Sequence, residues 1–207
     1  MKNLLLLGAI AMVLVSNLTS CKKGENDPTL SLKSRKARLA GEWTVTNIVK
    51  ANSHVNTAMP FTSSTTAGSY AAGILTEVTT NTTTGINQTM TQTITTTYDF
   101  KKDGTYTKTD VHATFTDVIT GNWVFMGKNK NQNLKKKEAI YLYITKWVQT
   151  DNNGVSQTVS ITGIDMTADV LEIDQLKSKE IILINENTNV QGSTTDSNKT
   201  TYTLTAK

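Results

Sequence analysis

Between residues 86 and 100 the chain alternates strongly. Ile86, Met90, Ile94, Tyr98 and Phe100 fall on one parity, and Asn87, Thr89, Thr91, Thr93, Thr95, Thr97 and Asp99 on the other. A period of two over this length argues a long strand with one wet face. The wet side is mostly Thr, which supplies 38 of the 207 residues. Its β-branched side chain favours a pleated, half-hydrated surface. The pattern recurs along the chain. Strands are expected over 43–50, 74–80, 106–119, 123–125, 139–149, 155–164, 170–176, 180–185 and 200–205. Between them stand a Lys-Lys-Asp-Gly turn at 101–104, a break at Gly121-Asn122 and an Asp-Asn-Asn-Gly turn at 151–154. Residues 51–73, 127–138 and 187–199 read as loops, the first Ser/Thr/Ala-rich with Pro60 and the second basic. The tally is eight to ten short-linked strands, with no helix long enough for a parallel crossover. An antiparallel meander of this length must deal with its edges, and closing into a barrel removes them. A two-sheet sandwich is the alternative and would need inter-sheet connections.

The first twenty residues read as an address. Lys2 is followed by twelve apolar or Gly residues over 4–15, too few to span a bilayer comfortably. The run ends at Leu18-Thr19-Ser20-Cys21, and Cys21 is the chain's only cysteine. This segment resembles the lipobox of bacterial lipoproteins. The resemblance implies cleavage before Cys21 and acylation of its thiol, with two or more acyl chains for a stable anchor. On that reading 1–20 is a signal peptide, 21–28 a polar lipidated tether and 29–207 one domain. Lys22 stands where an Asp would imply inner-membrane retention, so the resemblance implies the outer membrane, periplasmic or surface face unresolved. A short helix is expected from a Thr29 cap to a Gly41 stop; it carries Lys33, Arg35, Lys36 and Arg38. A solvated basic face is expected for it.

Further motifs follow in order. Gly41-Glu42-Trp43 comes directly after the helix; Tyr98 to Tyr106 forms an aromatic strand, an Asp103-Gly104 turn and a Thr-aromatic return; Gly121-Asn122-Trp123 repeats the Gly-x-Trp step; Leu171 to Leu176 and Glu180 to Leu183 form a late hairpin. Together they resemble the lipocalin (calycin) barrel of bacterial lipocalin-like lipoproteins. The resemblance implies that Trp43 plugs the closed end, with Gly41, Gly104, Gly121 and Trp123 as companion fold residues. The family often sets an Arg on its last strand against that Trp; here both arginines, Arg35 and Arg38, lie in the opening helix.

Chemistry is not conspicuous. One Cys and two His exclude a thiolate zinc site and a disulfide framework. His54 is expected in a loop and His112 in a strand, neither beside a recognisable triad. Asp99, Asp103, Asp110 and Asp117 read as turn or strand-face carboxylates, and the 135–137 lysine run as a solvated tip rather than a nucleic-acid patch. No catalytic residue, metal ligand or cofactor is expected, and the chain is expected to be monomeric. Met90, Ile94, Tyr98, Phe115, Tyr141, Tyr143 and Trp147 are the candidates to line a cavity. Two readings stay open: a barrel that binds a small apolar or amphipathic molecule, anchored to membrane through Cys21, or a filled barrel that docks protein or glycan through 51–73 and 127–138.

Overall fold

The structure is a computed structural model and describes residues 34–58, 62–126, 138–161 and 168–207. The leader, Cys21, the tether and Thr29 lie outside the described residues, as does 127–137. Among the described residues a helical turn, α1 (Arg35–Leu39), precedes eleven antiparallel strands: β1 (Gly41–Asn56), β2 (Thr62–Ala71), β3 (Ile74–Asn81), β4 (Asn87–Phe100), β5 (Thr105–His112), β6 (Phe115–Met126), β7 (Glu138–Asp151), β8 (Ser156–Ser160), β9 (Ala168–Leu176), β10 (Glu180–Gln191) and β11 (Thr194–Ala206). Ser34 caps α1, its hydroxyl accepting from the Ala37 N–H at 3.1 Å.

The strands form one sheet that closes on itself. Ten of them, β1 to β7 and β9 to β11, make a ring sealed by β6–β7 and β1–β11, and β8 is an eleventh strand on β7. The expected barrel is therefore present and the sandwich is not. The first residues of β1, Gly41–Thr44, pair with Phe100–Thr97 of β4, whereas its second half pairs with β2. At the α1 end the wall is thus eight strands around, and the β2–β3 hairpin widens it toward the other end, the mouth. Likewise β7 pairs with β9 over Glu138–Tyr143 and with β8 over Lys146–Thr150. Among the described residues β8 and the outer half of β10 are not joined. β8 is short, exposed and polar, which keeps its free edge from templating further strands.

The core fills the α1 end. Leu39, Trp43, Val45, Phe100, Tyr106, Trp123, Ile140, Ile173, Ile181, Leu183 and Leu204 are each at most 3% exposed. Outward positions such as Thr89, Thr91, Thr93 and Thr95 are exposed hydroxyls, the reverse of the apolar exterior of a membrane-spanning barrel. No helix among the described residues is long and apolar enough to cross a membrane.

Four expectations need correction. Residues 51–56 and 62–71 are strand, so the expected 51–73 loop is a hairpin of the wall and His54 sits in β1. The 187–199 loop is the β10–β11 hairpin, turned by Gly192 at φ +58°. The expected 106–119 strand is two, β5 and β6, joined by Ala113-Thr114. Gly121-Asn122 does not break β6, which runs through it. The first two share a cause: in the mouth half both faces of the wall are polar, so no apolar alternation marks the strands.

Candidate functional site

Three register shifts set which side chains face inward. Each adds one residue to a strand, at Thr46 on β1, Thr145 on β7 and Asp174 on β9, so that two residues oppose one. The bulge on β7 matters most. Below it Ile140 and Leu142 face the core, and Tyr141 and Tyr143 stand on the other face, stacked on each other at 5.9 Å. Above it parity flips, and Trp147 pairs with inward Ile119. Gly121 permits the bulge: a Cβ there would lie 1.9 Å from the Tyr143 carbonyl oxygen and 2.8 Å from Tyr106 Cε1. Among the expected cavity residues, Tyr141 and Tyr143 are thus placed away from the interior. Tyr98 belongs to the filled end, stacked on Phe100 at 5.5 Å. Ile94, Phe115 and Trp147 are half-buried inner-face residues, and Met90, nearest the rim on β4, is 61% exposed.

Trp43 is 2% exposed and its indole N–H donates to the Leu39 carbonyl at 2.8 Å. The Trp123 indole donates to the Lys101 carbonyl at 3.1 Å, and Lys36 lies 5.7 Å from its ring. Gly104 adopts φ +98°, the turn conformation that glycine tolerates. Instead of a solvated face, α1 presents its arginines to the barrel. Arg35 pairs with Glu138 at 2.6 Å and Arg38 donates to the Leu176 carbonyl at 2.7 Å. Arg38 and Trp43 line the same small hollow at the closed end.

Above this plug the interior turns polar. On the β4–β7 wall, Tyr98, Lys108, Ile119 and Trp147 are cross-strand neighbours, and the next tier is Thr96, Asp110, Asp117 and Gln149. Lys108 Nζ lies 2.7 Å from Asp110 Oδ2 and 6.0 Å from the Tyr98 ring; Thr96 donates to Asp110 at 2.5 Å. Asp117, directly opposite Asp110, accepts from Trp147 Nε1 at 3.0 Å and Gln149 Nε2 at 3.1 Å, with His112 Nε2 at 3.7 Å. His112 in turn stacks on Phe115 at 4.1 Å. Burial pushes the Tyr98 phenol well above its ordinary pKa, Tyr106 up to about 12 and Tyr202 upward. Burial opposes the charge on Lys108, but Tyr98 and Asp110 outweigh it and raise its pKa.

The β1–β3 and β10–β11 wall is also tiered. Tyr70, Ile48, Tyr202 and Leu183 lie deepest; above them Lys50 reaches across Gly68 to Glu77 at 3.0 Å. Gly68 leaves that space, since a Cβ would sit 3.0 Å from Lys50 Cβ. Next come Thr79, Thr66, Asn52, Asn198 and Asn187, then His54 with Asp196 at 2.6 Å near the rim.

Sequence reading missed Lys108, Asp110, His112 and Asp117 as a group. Their signal is present: Lys108, Asp110 and His112 continue the inward parity of Tyr106, a run of charge where alternation demands an interior residue. No group of three or more His, Cys, Asp or Glu suited to a metal ion occurs among the described residues. No protein-family model, no curated protein and no solved structure matches the chain.

Proposed function

We propose that this chain is a lipid-anchored, lipocalin-like barrel of the outer membrane that holds a small amphipathic molecule in its mouth half. One observation carries the reading. Inward side chains pass from fully buried and apolar around Trp43 and Phe100 to polar and part-exposed around Lys108, Asp117 and Lys50. One end of the barrel is packed, and the other is lined. Binding would bury ligand surface against Ile94, Phe115 and Trp147 at about 25 cal/mol per Å², with the Asp117 and Asp110 tier fixing orientation.

The anchor rests on Leu18-Thr19-Ser20-Cys21 and on the direction of the chain. Ser34 and α1 meet the barrel at its plugged end. A lipid on Cys21 would therefore tether that end and leave the mouth turned away. Radiolabelled palmitate fed to cells is expected to label the native chain and not Cys21→Ser. Native mass spectrometry of the chain from membranes is expected to show a dissociable small-molecule adduct. Absence of label would refute the anchor, and absence of any adduct with membrane extracts would refute the ligand.

A further inference from the structure

We infer that the occupant of the mouth is a neutral polyhydroxylated molecule, a saccharide, held between an amide ladder on one wall and an aromatic shelf on the other. The inference rests on the proposed ligand-binding role and narrows its chemistry.

The first observation is the ladder. Thr79, Thr66, Asn52, Asn198 and Asn187 lie side by side across β3, β2, β1, β11 and β10 at one inward level. Thr66 and Thr79 hydroxyls are 2.8 Å apart, and Asn198 Nδ2 donates to Asn187 Oδ1 at 3.1 Å. Asn52 Oδ1 stands in the middle of the row, buried, with no hydrogen-bond partner among the described residues. A buried amide oxygen without a donor forfeits the hydrogen bonds it would make in water, and a ligand hydroxyl would supply one. Amides and hydroxyls both donate and accept, and so do sugar hydroxyls.

The second observation is the charge pairing. Lys50 has Glu77 at 3.0 Å, Lys108 has Asp110 at 2.7 Å, and His54 has Asp196 at 2.6 Å. Each basic group named in the lining already faces a carboxylate. A fatty-acid carboxylate or a phosphate would have to displace an internal anion, whereas a neutral polar ligand would not.

The third is the shelf. Trp147, Phe115 and His112 present ring surface beside the Asp117 carboxylate, which accepts from Trp147 and Gln149. Ring faces cover the C–H face of a pyranose, and a neighbouring carboxylate accepts from its hydroxyls.

The test uses the full chain purified from membranes in a polyoxyethylene detergent, since glycoside detergents would compete. Saturation-transfer NMR and tryptophan fluorescence are recorded with maltotriose, cellotriose and the trimer of N-acetylglucosamine, and separately with palmitate. At least one trisaccharide is expected to bind. Asn52→Ala and Asn198→Ala are each expected to weaken it about fivefold, the loss of one neutral hydrogen bond. Glu186→Ala, on the outer face of the same strands, is expected to leave binding unchanged. If palmitate binds and no trisaccharide does, the saccharide inference fails while the ligand-binding role stands. If neither binds, both fail. Saccharide binding that ignores both Asn substitutions would also overturn the ladder.

Discussion

Gly121→Ala should be far more damaging than a one-carbon change ordinarily is. The added Cβ would stand 1.9 Å from the Tyr143 carbonyl oxygen and 2.8 Å from Tyr106 Cε1. An ordinary carbon–oxygen contact is about 3.3 Å, so β6 and β7 must part by more than about 1 Å. Backbone has no rotamer with which to yield. Overpacking of this kind costs about 1–3 kcal/mol, and losing one or two ladder hydrogen bonds adds about 1 kcal/mol each. The sum is about 2–5 kcal/mol. Urea denaturation followed by far-UV circular dichroism measures it. With a slope of about 2 kcal/mol per M, the midpoint falls by about 1–2.5 M. Gly154→Ala is the control. Unlike Gly121 it has left-handed backbone, φ +82°, and nothing lies within 4 Å of an added Cβ, so only about 1 kcal/mol of backbone strain is expected. Equal midpoints for the two variants would refute the argument, because the larger cost at Gly121 comes from the close approach of Tyr143 and Tyr106.

Lys108→Met leaves Asp110 inside the barrel with Thr96 but no cation. Because the Lys108 side chain is 28% exposed, the cost is expected near 2 kcal/mol, below that of a fully buried pair. Adding Asp110→Asn should recover part of it, as a thermal melt of the double variant would show. The chain has six tyrosines, and Tyr98, Tyr106 and Tyr202 have raised pKa values. Above pH 10 the unfolded phenols lose protons that these folded ones retain, so stability falls as pH rises from about 10 toward 12. Ultraviolet titration should show the phenolate signal of Tyr98, Tyr106 and Tyr202 appearing late, together with loss of structure. Six phenols ionising together while the fold persists would contradict this.

The plugged half of the barrel was legible because its strands pair an apolar inward residue with a Thr outward, and because Gly104 marks a turn with left-handed backbone. The mouth half was not. Between Lys50 and Ala71 inward Asn52, His54 and Thr66 alternate with outward Ser53, Thr65 and Ala67, so neither parity looks buried. The Ala113-Thr114 turn contains no Gly, Pro or Asn; Asn152 braces it from the neighbouring hairpin, donating to the Ala113 carbonyl at 3.1 Å, a contact with no local signature. The β7 bulge is likewise tertiary. Strict alternation carries Tyr141, Tyr143 and Trp147 on one face, and the extra residue Thr145 separates them. Asp110 and Asp117 become partners only when β5 and β6 fold back at 113–114.

The chain's three tryptophans test the division between a packed end and a lined mouth. Trp43 and Trp123 are 2% and 3% exposed, while Trp147 is half-buried on the mouth's inner wall. Acrylamide quenching of the native chain should resolve a protected and an accessible fraction. Trp147→Phe should abolish the accessible fraction, and a bound ligand should shield it in the native chain. Persistence of the accessible fraction in Trp147→Phe, or uniform protection of all three indoles, would contradict the account.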